Sequence, residues 1–313
     1  RLFADLQYRY VSYQAWGVND NYVSEEVGMQ PIDVDKQYHF FNPRAGVSYT
    51  LAERNNFYLS FAVAQKEPTR SDFTDRYKFA ADDTYPSSEK LYDWELGYQY
   101  TAPRLSLGVN LYYMKYKDQL VPTGMVNDDS NALNTNVPDS YRRGVELSAS
   151  WRATGWFTVG ANATFSQNRI ENYVDALKDS PTYGKELGDM TIAYSPDVIA
   201  NAFLNFHHRG FEAVFHTQHV GKQYFTNNEN DALSLDAYCV TNLNLAYTFR
   251  TRSARSVRLG LLINNLFNAE YESNGYGYSY MDTWSGPAPV RIDEAYYFPQ
   301  APLNVLANVT VKF

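Results

Sequence analysis

The C-terminal stretch "PLNVLANVTVKF" (302–313) alternates apolar and polar side chains along its length. Leucine, valine, alanine and phenylalanine occupy the odd positions from Leu303 to Phe313, and mostly asparagine, threonine and lysine lie between them. A period of two residues is typical of a β-strand with one apolar and one more polar face. The apolar face would pack inside a soluble sandwich or contact lipid on a membrane barrel, and this stretch alone allows both.

The same alternation recurs along the whole chain. In "FTVGANATF" (157–165), Phe, Val and Ala occupy one face, while Thr, Gly and Asn occupy the other. Twelve such segments begin near residues 2, 42, 57, 91, 104, 141, 156, 196, 211, 238, 256 and 303. Each has about ten residues, which a tilted strand needs to cross a bilayer, whereas strands of soluble proteins average about five or six.

The connections between these segments alternate strictly between short and long. The short ones are 52–56, 101–104, 153–155, 207–210 and 251–255. The long ones are 16–40, 67–90, 118–140, 170–195, 223–237 and 268–301. Outer-membrane barrels have short periplasmic turns and long extracellular loops, whereas a Greek-key sandwich has no reason to sort loop lengths by end. The sequence therefore predicts an all-β protein, an antiparallel up-and-down transmembrane β-barrel.

Composition narrows the possible partners. The 313 residues carry a formal net charge of −8, which argues against nucleic acid because a phosphate-binding surface needs a basic excess. The 28 tyrosines suit a protein with many apolar–water boundaries, since the ring and the hydroxyl prefer different phases. The single cysteine allows no intrachain disulfide. We expect outer-membrane lipid to be one partner of this chain.

Several longer stretches resemble the barrel of TonB-dependent outer-membrane receptors. They are "NPRAGVSYTL" (42–51), "EKLYDWELGYQY" (89–100), "YRRGVELSASW" (141–151), "INNLFNAEYES" (263–273) and "YYFPQAPLNVLANVTVKF" (296–313). The stretch at 219–247 is similar to versions found in Bacteroidetes. The resemblance covers essentially the whole chain.

The resemblance implies a Gram-negative outer-membrane location and energy-dependent uptake of a scarce solute. A ferric siderophore is the foremost expectation, followed by oligosaccharide, cobalamin and haem. Family members have a barrel of about 22 strands filled by an N-terminal plug domain, preceded by a segment that contacts the TonB complex. Residues 1–313 contain about twelve strands and resemble neither of these two parts, so we interpret them as the C-terminal portion of a receptor barrel.

Two other interpretations remain open. One is a complete twelve-stranded barrel that acts as a passive channel, since even-numbered barrels of that size exist. The other is a soluble β-rich binding module. In either a fragment or an open sheet, the edge strands at 2–15 and 303–313 must find partners, because unpaired backbone groups in lipid cost several kcal/mol each (roughly).

The last long loop contains the foremost candidates for ligand contact. In "NGYGYSYMDTWSGPAP" (274–289), Tyr276, Tyr278, Tyr280 and Trp284 are interleaved with glycine. Alternation puts the three tyrosines on one side if the segment is extended. Aromatic loop residues make platforms for catecholates or sugars, although membrane anchoring and loop packing would also explain them. Weaker candidates are Tyr224, Arg70 and Arg76, and arginine would suit an anionic ferric siderophore.

The sequence predicts no catalytic residues, no metal site and no cofactor. Nucleophile-elbow, zinc-protease and phosphate-loop motifs are absent from it. His216 and His219 are three residues apart on one strand, so they point to opposite faces and cannot bind one metal together. The acidic pairs Asp82–Asp83 and Asp128–Asp129 could bind Ca²⁺, but solvated loop charge is the favoured explanation because neither pair lies in an EF-hand-like spacing.

Overall fold

The computed structural model describes residues 1–25, 28–74, 85–126, 132–177 and 179–313. In chain order the strands are β1 (Leu2–Ser24), β2 (Gly28–Leu51), β3 (Asn55–Lys66), β4 (Glu89–Thr101), β5 (Leu105–Val126), β6 (Ala132–Arg152), β7 (Phe157–Ile170), β8 (Met190–Thr191), β9 (Val198–His208), β10 (Phe211–Val220), β11 (Gln223–Tyr224), β12 (Ser234–Leu235), β13 (Tyr238–Phe249), β14 (Ser256–Asn264), β15 (Glu272–Asp282), β16 (Val290–Pro299) and β17 (Asn304–Lys312). Helix α1 spans Arg70–Thr74, and a 3-10 turn spans Asp231–Leu233.

Twelve of these strands form one antiparallel path. Within the described residues the order is β1-β2-β3-β4-β5-β6-β7-β9-β10-β13-β14-β17, and β8 pairs with β7 beside it. The twelve strands predicted from the alternation are therefore confirmed, as are the five tight turns between them. The structure records one neighbour each for β1 and β17, so the described sheet is an open wall rather than a closed ring.

The register lines up the apolar positions of neighbouring strands. Leu59, Leu96 and Leu111 lie side by side on β3, β4 and β5, and all three are exposed. Ser60, Glu95 and Tyr112 form the adjacent row, which faces the other side of the sheet. One face of the wall is thus apolar and uncovered, and the other is polar.

This exposure decides between a membrane wall and a soluble sandwich. Leu107 is 39% exposed and Val309 is 65% exposed, although both belong to the apolar face. A sandwich would bury such residues under a second sheet. The soluble interpretation is therefore wrong, and the face is apolar in the manner of a wall that contacts lipid.

Aromatic rows border the exposed leucines. Toward the tight turns, Phe57 and Tyr98 lie 4.8 Å apart between ring centroids. Toward the long connections, Trp94 lies 5.1 Å from Phe61 and 5.7 Å from Tyr113. Phe57 and Phe61 are four residues apart on β3, which is about 13 Å of strand, so the two rows cannot both be girdles of an apolar band about 25 Å tall. The rings instead add to the apolar face beside the leucines.

Several strands extend farther than the alternation predicted. The segments expected near 42 and 141 begin instead at Gly28 and Ala132, so much of the predicted loops 16–40 and 118–140 is strand. The predicted loop 268–301 contains the β15–β16 hairpin. Apolar alternation marks only the part of a strand that meets lipid, whereas backbone pairing continues beyond it in water, where no such alternation is needed.

The packed hydrophobic clusters lie at the end of the sheet with the long connections. Val121, Val137, Ile170, Tyr173 and Ile192 form one cluster where β5, β6 and β7 end. A second cluster, which we name the Phe225 cluster, consists of Phe225, Leu233 and Leu235. These clusters bury side chains inside protein, as a soluble domain does, and they hold the extracellular connections in place.

An added charge should destabilise the protein on the apolar face and have little effect on the polar face. Leu147 lies on the exposed apolar face, and its neighbour Ser148 lies on the polar face between Gly108 and Asn162. We expect Leu147→Arg to lower the free energy of unfolding in lipid by about 2–4 kcal/mol, because the guanidinium would enter hydrocarbon. Ser148→Arg should change it little. Urea titration of both variants in lipid vesicles measures the difference, and equal effects would contradict the assignment of the faces.

Candidate functional site: the tyrosine face of the β15–β16 hairpin

The β15–β16 hairpin puts the candidate tyrosines on one side. Tyr276 lies opposite Tyr296, and Tyr278 lies opposite Glu294. Positions directly opposite each other share a face, and so do alternate residues of one strand. We define the tyrosine face as Tyr276, Tyr278, Tyr280, Trp284, Glu294 and Tyr296.

On the other side of the hairpin, β15 carries the small residues Gly275, Gly277 and Ser279. A Cβ atom on Gly275 would lie 2.7 Å from Phe225 Cζ, and one on Gly277 would lie 2.9 Å from Leu233 Cδ2. No real Cβ approaches that closely without movement of its neighbours. The glycines between the tyrosines therefore let the hairpin lie flat on the Phe225 cluster.

The loop that carries the Phe225 cluster is itself tied to the wall. Asn227 is almost fully buried. Its Oδ1 accepts a hydrogen bond from the Ala193 backbone amide at 2.7 Å, and its Nδ2 donates to the Pro122 carbonyl at 2.6 Å. The hairpin therefore rests on a fixed base, because a buried polar group with satisfied partners has one favoured arrangement.

The rings of the tyrosine face contact one another along the hairpin. The Tyr276 and Tyr296 rings are stacked with centroids 4.9 Å apart. The Tyr280 and Trp284 rings are parallel within 6° at 6.4 Å. Trp284 is 75% exposed, and its backbone amide donates to Asp282 Oδ1 at 3.1 Å. The face is thus an ordered aromatic surface that is open to solvent.

Glu294 organises the phenols. Its Oε2 accepts hydrogen bonds from Tyr278 at 2.7 Å and from Tyr296 at 2.8 Å, and its Oε1 accepts one from Tyr280 at 3.2 Å. The bonds from Tyr278 and Tyr296 hold the pKa of Glu294 below its ordinary value. The bond to Glu294 raises the pKa of Tyr278 in turn. The carboxylate is therefore ionised and the phenols are neutral at physiological pH.

The nearest basic side chain of the hairpin belongs to the opposite side. Arg291 Nε donates to Asp293 Oδ1 at 2.8 Å, and Arg291 Nη2 donates to Ser279 Oγ at 3.1 Å. Residues 272–299 contain four carboxylates and one basic side chain, a net charge of −3. The tyrosine face is therefore electronegative.

The weaker candidates are not brought to this face. Tyr224 lies on β11, where its hydroxyl donates to Asp231 at 3.4 Å and its ring lies 5.0 Å from Lys222 Nζ. Arg70 is exposed at the start of α1. Arg76 lies outside the described residues, as do both acidic pairs, Asp82–Asp83 and Asp128–Asp129. The ligand roles of all seven candidates stay predictions.

Sequence reasoning missed Glu294 and Tyr296. Both lie on β16, where they alternate within "IDEAYYF" (292–298), but that pattern does not identify their partners. The segment 283–289 joins the two strands, so its length leaves the cross-strand register open. His216 and His219 point to opposite faces of the sheet, as predicted. His216 pairs with Phe203 and Asn242, and His219, three residues later in an unbroken register, pairs with Ala200 and Cys239. Among the described residues no three metal-ligating side chains cluster.

Comparison with known proteins decides the family. The family model "TonB dependent receptor-like, beta-barrel" matches residues 1–266. The chain belongs to the TonB-dependent receptor family. It is therefore an outer-membrane β-barrel protein of a Gram-negative bacterium, and among the described residues no helix is long and apolar enough to span a bilayer.

Solved structures share the fold. The ferric-catecholate import receptor Fiu from E. coli K12 is similar at a TM-score of 0.66 and 18% identity, over 98% of this chain and 42% of that one. The ferric yersiniabactin uptake receptor FyuA from Yersinia pestis has a TM-score of 0.67 and 18% identity, over 99% of this chain and 42% of that one. The copper transporter OprC has a TM-score of 0.68 and 17% identity, over 98% of this chain and 44% of that one. The TonB-dependent receptor chain therefore spans about two fifths of these proteins, and the likeness concerns fold alone.

The seating of the hairpin can be tested with two glycines. Gly277→Val would force a side chain against Leu233 and the Glu294 carbonyl, whereas Gly286 has no neighbour within 4 Å. We expect Gly277→Val to loosen the hairpin and expose 283–289 to limited proteolysis. Gly286→Val serves as the matched control and should cleave like the wild type. Equal cleavage of both variants would contradict the packing.

The hydrogen bonds to Glu294 predict a titration difference. A phenolate at Tyr278 would face the Glu294 carboxylate, which raises the pKa of Tyr278. In Glu294→Gln the pKa of Tyr278 should therefore fall toward about 10, the ordinary value for tyrosine. The hydrogen bond from Tyr278 to Glu294 stabilises the hairpin fully below about pH 10, and this stabilisation is lost as the pH rises through the raised pKa of Tyr278. NMR of ¹³Cζ-labelled tyrosine, with Tyr278→Phe for assignment, measures both curves. An unchanged Tyr278 curve in Glu294→Gln would refute the contact.

Proposed function

We propose that this TonB-dependent receptor chain serves the energy-dependent uptake of a scarce solute, most favourably a ferric siderophore. The observation that carries the proposal is the tyrosine face, an open aromatic surface held rigidly at the extracellular end of the wall. Aromatic platforms on a fixed base bind large organic ligands well, because little ordering entropy is lost on binding. The names of several similar structures, ferric-siderophore receptors among them, agree with this class of cargo.

A chelated ion suits this surface better than a bare one. The tyrosine face supplies five rings and a single carboxylate, whereas a bare metal ion needs several convergent ligands. Rings can instead contact the organic shell of a siderophore.

The polar face of the wall would line the route of the solute. Glu95, Asn110 and Tyr112 lie on that face of β4 and β5. We propose that residues 1–313 are the C-terminal portion of a larger barrel, which is supported by the two unpaired edges and by the greater length of the similar structures. A plug domain and the TonB complex would then gate and energise transport.

Removal of two rings tests the role of the tyrosine face. We expect Tyr276→Ala combined with Trp284→Ala to weaken binding of a ferric siderophore about tenfold or more, since each lost aromatic contact costs roughly 1 kcal/mol. Tyr183→Ala is the matched control, because Tyr183 is an exposed aromatic of a different long connection. Binding and ⁵⁵Fe uptake by intact cells are measured over hydroxamate, catecholate and carboxylate siderophores.

Two outcomes would contradict the proposal. Binding of every siderophore class that survives loss of both rings would remove the tyrosine face from the mechanism. Uptake that continues after an uncoupler collapses the proton-motive force would favour the rival interpretation, a passive channel.

A further inference from the structure

The tyrosine face combines aromatic rings with an unneutralised carboxylate. The faces of aromatic rings carry negative potential, and a cation placed over them is attracted. Three phenols contact Glu294, and the Tyr276 and Trp284 rings extend the surface to either side. The hairpin directs its basic side chain, Arg291, to the opposite side. The electrostatics of the face therefore favour positive charge in a ligand.

Glu294 retains capacity for one more donor. A carboxylate accepts about four hydrogen bonds. Two phenols use Oε2, and the Tyr280 phenol alone uses Oε1. A ligand ammonium could therefore donate to Oε1 without displacing any tyrosine.

The same charges disfavour polyanionic ligands. A ferric tris-catecholate is a trianion, and a ferric trihydroxamate is neutral unless a side group adds charge. A trianion on the tyrosine face would meet Glu294 and Asp282, and none of the six described residues that define this face is basic. Like charges in contact weaken binding and select against the wrong partner.

We propose that the tyrosine face selects ligands bearing an organic cation, with the ammonium over the rings and donating to Glu294. The inference rests on the proposed function, because the ligand would be a ferric siderophore of the cationic hydroxamate type. Glu294 is then a specificity-determining residue, and a tris-catecholate is a poor ligand for this face.

A matched pair of ligands tests this selection. The ferric complex of desferrioxamine B carries a free ammonium group, and its N-acetyl derivative is neutral but otherwise the same. We expect the intact protein in detergent to bind the ammonium form about tenfold more tightly, which is the size of an exposed cation–π contact plus an ion pair. The preference should shrink at high salt.

Two variants separate Glu294 from the general charge of the hairpin. Glu294→Gln should lower the ratio of the affinities for the ammonium and acetylated forms from about tenfold to about one, because the preference depends on the carboxylate. Glu272→Gln removes the same charge from the start of β15, outside the tyrosine face, and should keep the preference. Circular dichroism like that of the wild type shows that both variants are folded.

The outcomes distinguish failure of the proposed cation selection from failure of the proposed siderophore uptake. Equal affinity of the ammonium and acetylated complexes for the unaltered protein would overturn the inference, whatever the variants do. Tighter binding of a ferric tris-catecholate than of the ammonium form would overturn it as well. Failure of all three ferric complexes to bind would overturn the proposed function together with it.

Discussion

Backbone hydrogen bonding in lipid is the constraint on which this structure depends. Hydrocarbon offers no partner for an N–H or C=O group, so a spanning segment must satisfy each one within protein. The chain meets this requirement by pairing each long strand with its neighbours in an antiparallel ladder. The outer edges of β1 and β17 remain the two places where the ladder stops. The long strands and the tight turns on one side of the sheet both follow from this single requirement.

A sheet whose apolar face is turned to lipid does not need a hydrophobic core in the membrane. The buried side chains of this protein instead gather where the strands leave the bilayer, around Ile170 and around Phe225. Water there restores the usual driving force for burial. Asn227 then joins the Phe225 cluster to the backbone of β5 and to the residues after β8. The extracellular end is thus organised like a small soluble domain on top of a membrane wall, which gives a surface hairpin a firm base.

Most of the wall could be predicted from the sequence, because lipid contact imposes a two-residue period that is visible in single segments such as 157–165. Beyond the membrane that period has no cause, so the strand extensions that begin at Gly28 and Ala132 were interpreted as loops. Only part of the tyrosine face could be predicted from the sequence. Alternation within β15 places three tyrosines together, but Glu294 joins them only through the cross-strand register, and no pattern within β16 reveals that register.

The same period that builds the wall also builds the candidate site. Gly275 and Gly277 let one side of the hairpin approach Phe225, and the alternate residues Tyr276 and Tyr278 project outward. A strand that is small on one side and aromatic on the other must present its rings to solvent wherever its small side is packed. The cross-strand neighbour then decides the chemistry, since a carboxylate at position 294 orders three phenols and makes the surface electronegative. The proposed ligand selection is therefore an electrostatic property of Glu294, on a scaffold that is set by packing and by the hydrogen bonds of Asn227.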